Sequence, residues 1–437
     1  MPAFDKNQII ILGIGFFIIL VIVLGAVGIL PIFQKKGQVS GDPDFPTGKV
    51  QLTIWGMGDP ASAFEGVIQA YKNLYKNVEI RYFKFDDPEA YQKELVNALA
   101  ERRGPDIFMV HSSWVNENWG KLRPAPAKVI TPQLVSQIYP EVVFKDFVLS
   151  NNVYALPLYL DSLALIYNKD IFSAKGVVFP PSDWEEVLDD VLKIRELDES
   201  KKISVPAIAL GTSVNINNAP EILTLLMIQS GSPIASSEGG ISFDANAQKA
   251  FDFYLQFSDP LNPYYTWNEG LEDSLSAFAA GKLAMMIDFY SSLAKIKEKN
   301  PFLNFGVAPL PQIKGASFSR QANLADYWGL GVSAQSPNPY VSWHFIKFFV
   351  TNPTLYSQYL QTANHLPALK SLINQGLEQE NAPFLKGFLI AKTWPKANYP
   401  AIREVLKKTI SDVLSGKIQR RQALKAAETE INYFYRK

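Results

Sequence analysis

An α/β fold carried behind an N-terminal membrane helix is what this sequence predicts, and three observations carry that reading. Residues 8–33 (QIIILGIGFFIILVIVLGAVGILPIF) contain no charged side chain. Behind them the chain opens with strand-like and helical segments in strict alternation, the pattern of an open α/β sheet. The 437 residues are 47% hydrophobic and 13% aromatic, enough for the cores of two or three domains and too apolar for a disordered chain.

The uncharged run comes first in the chain. At about 1.5 Å per residue it reaches roughly 39 Å as a helix, enough to cross a ~30 Å hydrocarbon core with some tilt. It is too long for a cleaved signal peptide and has no small-x-small site near its end, so residues 1–48 are expected to stay on the mature protein. Lys6 precedes the run and Lys35 and Lys36 follow it, a lysine count that leans against an extracellular C-terminal part. Residues 34–48 (QKKGQVSGDPDFPTG) are polar, rich in Gly and Pro and aperiodic, as in a flexible linker.

Residues 50–55 (VQLTIW) form a β-branched strand that ends at Gly56, Gly58 and Pro60. Phe64, Val67, Ile68, Tyr71 and Leu74 then fall at helical spacing, and residues 78–85 alternate as a second strand. Tyr91, Leu95, Ala98 and Leu99 line another helix, stopped by Arg102, Arg103 and Gly104, and residues 107–110 are a buried strand. In such sheets ligands sit beyond the strands' C-terminal ends, where residues 55–59 and 111–114 lie. Further strands are expected at 154–157 and 163–167, flanking Asp161, and strand-like segments at 301–311 and 324–333. Ser182 or Asp183 caps a helix whose face is Val187, Leu188, Val191 and Leu192, and helices are expected at 245–257, 271–280, 341–350 and 401–414.

Composition narrows the chemistry. The 42 basic and 42 acidic side chains cancel, leaving no footprint for nucleic acid. With no cysteine there is no thiol nucleophile, disulfide or lipidated cysteine, and three histidines (111, 344 and 365) leave little for metal or acid–base work, so no metal or cofactor is expected. Residues 280–283 (AGKL) lack the earlier glycine and the hydroxyl of a phosphate loop, and Gly329-Leu330-Gly331 is a lone GxG. No G-x-S-x-G or H-E-x-x-H occurs.

What remains is a set of isolated acids and aromatics. Asp59, Asp161 and Asp288 each follow or interrupt an apolar strand-like run. Acids at such mouths accept hydrogen bonds from sugar hydroxyls as readily as they hydrolyse glycosides in pairs, and both roles stay open. Tryptophans 55, 114, 328 and 394 fall in or beside loops, where an aromatic face either stacks on a sugar ring or simply packs a core.

Several stretches resemble the extracellular solute-binding proteins of ABC transporters, the family of maltose- and other sugar-binding proteins. Residues 154–157 (YALP), then 165–172 (LIYNKDIF), Gly176, Pro180, Pro181 and Trp184 are similar to its "YxLP…YNKDLF…G…PPxTW" block. Residues 104–107 (GPDI), 278–285 (FAAGKLAM), 309–311 (PLP), 336–349 and 414–424 match further segments in the family's order. The likeness runs from about Lys49 to the C-terminus.

The resemblance implies a two-lobe, periplasmic-binding-protein-like (type II) α/β fold with a ligand cleft between lobes that close on the ligand. It places lobe 1 at 49–158 and 330–375, lobe 2 at 162–324 and 380–437, and the crossovers near 157–163, 324–332 and 375–380. It further implies that Trp55 and Asp59, His111, Ser113 and Trp114, Tyr159 and Asp161 line the cleft, with Asp288 and Tyr290, Tyr327 and Trp328, and Tyr399. Phe289-Tyr290 stands where relatives often present a stacking aromatic, Asp326-Tyr327-Trp328 replaces a Gly-Gly and reshapes the cleft, and Trp394 rivals Tyr399. The implied function is a receptor, not an enzyme: a monomeric protein outside the cell membrane, N-terminus inside, binding a sugar or oligosaccharide and handing it to permease subunits. A cell-surface glycoside hydrolase using Asp161 and Asp288, or a sensory or adhesive receptor without transport, are the alternatives.

Overall fold

The computed structural model describes residues 45–235, 240–393 and 398–435. The expected membrane anchor at 8–33 and most of the linker lie outside the described residues, as does Trp394. Among the described residues no helix is long and apolar enough to cross a membrane.

From Val50 onward the chain follows the predicted alternation: β1 (Val50–Met57), α1 (Ala61–Leu74), β2 (Val78–Phe85), α2 (Pro88–Ala100) and β3 (Ile107–His111). β1 pairs in parallel with β2 along its whole length, Val50 opposite Val78 through Met57 opposite Phe85, and with β3 on its other side. All five residues of β3 are buried, as a central parallel strand requires. The α1 helix presents Ala63, Phe64, Val67 and Tyr71 to this sheet, and Asp87 caps α2 by accepting from the Ala90 amide.

The chain then leaves through β4 (Ala155–Pro157) and enters a second sheet at β5 (Asp161–Asn168). Helices α3 (Trp184–Ile194) and α4 (Ala219–Gln229) follow, then β6 (Met285–Phe289), α5 (Ser292–Lys299), β7 (Phe305–Ala308) and β8 (Asn323–Asp326). Asp183 is the residue that caps α3, while Ser182 donates to Glu186 from both its amide and its hydroxyl. α4 is buried on nearly every side, so it carries no one-sided apolar stripe. β6, β7 and β8 all pair antiparallel to β5.

Only Tyr327 separates β8 from β9 (Trp328–Ser333), which returns to the first sheet antiparallel to β3, with Trp328 opposite His111. Gly329 lets β9 lie this close: a Cβ there would sit 2.5 Å from the Leu156 carbonyl oxygen and 2.6 Å from the Phe147 ring. Next, α6 (Pro339–Thr351) and α7 (Pro353–Ala363) pack on the first sheet's side, against β9 and α1. A third passage leads to α8 (Ala382–Leu389), which packs on β5, and to α9 (Tyr399–Leu414) and α10 (Arg420–Phe434). One edge of each sheet therefore adjoins the crossovers. In the first sheet it is formed by the ends of β1 and β3 and the start of β9, and in the second by the start of β5 and the ends of β6 and β8.

Candidate functional site

The first sheet's share of this junction is aromatic. His111, at the end of β3, is 4% exposed, and the Trp328 ring meets it edge-on at 5.2 Å. Trp114, three residues on, meets Trp328 edge-on at 5.0 Å and stacks on Tyr91 at 6.2 Å. Tyr91 continues the row to Phe85 and thence to Trp55. Trp328, the first residue of β9, joins this surface, and Tyr327, in the link before it, does not. Tyr327 is fully buried, and its hydroxyl donates to Asp146 at 2.6 Å, so it packs beneath the first sheet. The expected role of Tyr327 in lining the cleft does not fit that placement.

Across the junction, Tyr399 at the start of α9 lays its ring parallel to His111, 5.4 Å between centroids and 8° between planes. Its hydroxyl bonds Glu221 of α4, whose carboxylate also takes Arg403 at 2.8 Å, and Arg403 Nη2 donates to the Asn217 carbonyl at 3.0 Å. Burial, with the nearby Glu221 carboxylate, holds the Tyr399 phenol far above its usual range. Tyr399 is therefore a fixed, neutral aromatic plate. The His111 imidazole is held in turn by the Ser113 hydroxyl at Nδ1 (2.7 Å) and Asp326 at Nε2 (2.8 Å).

Asp59, Asp161 and Asp288 differ in what they hold. Gly58, at φ 79°, turns the chain so that Asp59 points inward, where it accepts from the Tyr359 hydroxyl (2.6 Å) and His365 Nε2 (2.7 Å). Tyr159 stacks on that same His365 ring at 3.6 Å. Asp161 opens β5 opposite Asp326. Its carboxylate accepts from the amides of Tyr290 (2.8 Å), Ser291 (3.1 Å) and Ser162 (2.8 Å), tying the end of β6 to the crossover. Burial outweighs these donors and pushes its pKa to about 7, with the Asp326 charge adding to the rise. Asp288 is likewise pushed by burial to about 7, while accepting from Asn218 Nδ2 (2.6 Å) and the Phe289 amide (2.8 Å). Tyr290 reaches across the junction, donating to Asn364 at 3.3 Å.

The arrangement is a wall of aromatic faces on one side, a tyrosine plate on the other, and buried carboxylates along the seam. Among the described residues no three His, Asp or Glu side chains come together as a metal site. Such a junction suits a ligand with both apolar faces and hydroxyl edges.

A family model described as bacterial extracellular solute-binding protein matches residues 55–354. The chain belongs to that family. A maltotriose-binding protein of Pyrococcus abyssi is 24% identical over 356 residues, covering 78% of this chain and 71% of the relative. A maltodextrin-binding protein of Bacillus subtilis is 22% identical over 418 residues, covering 90% of both. The solved cyclic α-maltosyl-1,6-maltose-binding protein of Arthrobacter globiformis superposes with a TM-score of 0.73 at 19% identity, over 89% of this chain and 99% of that one. The two sheets are thus the two α/β lobes of a solute-binding protein.

Of the residues singled out from sequence, His111, Ser113, Trp114, Trp328, Asp161, Tyr290 and Tyr399 gather around the junction of the two sheets. Asp59 and Tyr159 adjoin it through His365, and Asp288 lies on the wall of the second lobe. Glu221, Arg403 and His365 escaped that reading as site residues, and Asp326 was named only for the bulk it adds to the cleft. Arg403 had a usable signal, since it follows Tyr399 by one helical turn on the same face. Glu221 had none, because it sits in a helix that is apolar all round.

Proposed function

We propose that this chain is the receptor subunit of an ABC importer, capturing a carbohydrate in the cleft between its lobes and delivering it to a permease. The observation that carries the reading is the aromatic junction in which Tyr399 of one lobe lies parallel to His111 of the other, with Trp328 and Trp114 packed beside His111, within a family whose relatives carry maltotriose and maltodextrin in their names. Aromatic faces take the apolar faces of sugar rings, and the surrounding carboxylates, amides and hydroxyls take the ring hydroxyls. In this reading lobe 1 is 49–158 with 330–375 and lobe 2 is 162–324 with 380–437. The lobes hinge at the crossovers, and the ligand stabilises the closed form by binding it better than the open one. The uncharged run at 8–33 holds the receptor at the outer face of the membrane.

Binding without conversion is the better reading of the acids as well. Both oxygens of Asp161 are engaged by backbone amides, and Asp288 is engaged by Asn218, an arrangement that serves shape more than proton transfer. The test is thermal unfolding of the full-length chain against maltose, maltotriose, other oligosaccharides, amino acids and peptides. A ligand at one hundred times its Kd adds about 2.7 kcal/mol of stability. Stabilisation by amino acids or peptides and by no sugar rejects the proposal, and so does a reproducible cleavage of the bound glycan that vanishes in Asp161→Asn.

A further inference from the structure

The second lobe carries a pocket of about 450 Å³ beside Tyr399, and its chemistry differs from that of the aromatic wall. Asp288 and Phe289 form its floor at the end of β6, and Ser291, whose amide holds Asp161, stands at its rim. Three cations line it: Lys295 from α5, and Arg403 and Lys407 from consecutive turns of α9. A neutral sugar can take charged groups as hydroxyl partners but cannot neutralise them, so the charge left uncompensated in the pocket matters.

Arg403 is matched by the buried Glu221 carboxylate at 2.8 Å and is not surplus. Lys407 pairs at 2.8 Å with Glu404, whose side chain is 71% exposed, and an ion pair so open to water is weak. Its ammonium can therefore turn to a better partner at little cost. Lys295 is exposed, and its ammonium faces Asp288 closely enough to act on that carboxyl's titration. The one acid in the lining, Asp288, already accepts from Asn218 and Phe289, and although burial lifts its pKa to about 7 against the pull of Lys295, at most one negative charge faces the two lysines. The balance inside the pocket is positive, with two lysine ammoniums and the Asn217 amide as donors.

We propose that this pocket is a subsite for an anionic substituent on the bound saccharide, a uronate carboxylate or a phosphate or sulfate ester, held by Lys295 and Lys407. The proposal rests on the sugar-receptor reading and narrows its ligand class. The aromatic wall takes neutral ring faces, and the neighbouring glycosyl unit carries the charge into the second lobe, where charge-assisted hydrogen bonds are stronger than those to a hydroxyl. Charged groups at a half-open site also make affinity fall with salt, because the Debye length shrinks from about 10 Å at 0.1 M to about 3 Å at 1 M.

Calorimetry on the full-length chain tests this with matched ligands: maltotriose, its form oxidised to a terminal uronate, its 6-phosphate and its 6-sulfate, with inorganic phosphate and acetate alone as controls. At least one anionic form is expected to bind tenfold or more tighter than maltotriose at 50 mM salt, and which form does so identifies the source of the charge. That ratio should fall below threefold in Lys295→Gln with Lys407→Gln, and at 1 M salt. Both lysines are outside the core, and reading the ratio within each protein cancels any general loss of affinity. A ratio near one in the unaltered protein overturns the anionic subsite and leaves the sugar receptor intact. A ratio that survives the double substitution overturns its placement in this pocket. Binding of no saccharide at all rejects the receptor reading together with the subsite.

Discussion

The ring of Tyr399 lies within 8° of parallel to the imidazole of His111, their centroids 5.4 Å apart, although one residue belongs to α9 beside the second sheet and the other ends a strand of the first. This stack joins the two lobes directly. Glu221 and Arg403 hold it from one side, Ser113 and Asp326 from the other.

Removing the plate should weaken ligand capture. Tyr399→Ala is expected to cost about 1–2 kcal/mol of affinity, roughly five- to thirtyfold, since an aromatic pair contributes about 0.5–1.5 kcal/mol beyond the area it buries. Tyr399→Phe keeps the ring, loses the bond to Glu221, and should recover most of that affinity. Titration calorimetry on the two variants checks this, and equal losses would assign the effect to the hydroxyl instead of the ring.

Asp161 works on the backbone of the second lobe. Asp161→Ala strips acceptors from the buried Tyr290 and Ser291 amides and should lower the unfolding free energy by about 1–3 kcal/mol, the usual cost of orphaned donors. Asp161→Asn retains an acceptor oxygen and should lose less. Chemical denaturation gives both values. If Asp161→Ala unfolds like the parent but binds its sugar 1.5–3 kcal/mol more weakly, the carboxylate is a ligand contact first.

The two buried acids give stability a definite pH slope. Asp161 and Asp288 have folded pKa values near 7 against an ordinary 3.8, so the folded protein holds more protons than the unfolded chain between those values. Their contribution is full below about pH 4 and is lost as pH rises through about 7. At about 1.4 kcal/mol per unit the loss is on the order of 2–4 kcal/mol for each group. Unfolding curves at pH 4, 5.5 and 7 should show a flatter profile for Asp161→Asn with Asp288→Asn than for the parent. An identical slope in both proteins would remove the two acids as its source.

Gly329 is required by packing. Gly329→Ala puts a methyl group 2.5 Å from the Leu156 carbonyl oxygen, and backbone cannot yield as a side-chain tip can. A loss of about 2–4 kcal/mol is expected, at the upper end of single overpacking substitutions. A melting temperature within a degree of the parent would show that β4 and β9 separate more easily than their contact implies.

The sequence alone determined the order and type of the elements around the site. Val50 to Val110 reads as β-α-β-α-β because local periodicity and stop signals are short-range properties, and the structure forms those five elements where they were expected. The same holds for the capped helix after Asp183 and for the strands flanking Asp161, and the motif order pointed to the family. What only the tertiary structure decided is which side chains face one another. Tyr327 and Trp328 are neighbours with equal claims in sequence, and the packing around the link between β8 and β9 sends one beneath the sheet to Asp146 and the other to His111. His365, Asp326 and Glu221 come from separate segments and acquire their partners through pairings 178 to 306 residues apart in the chain. Such contacts depend on how three crossovers bring two sheet edges together, and no local pattern encodes that approach.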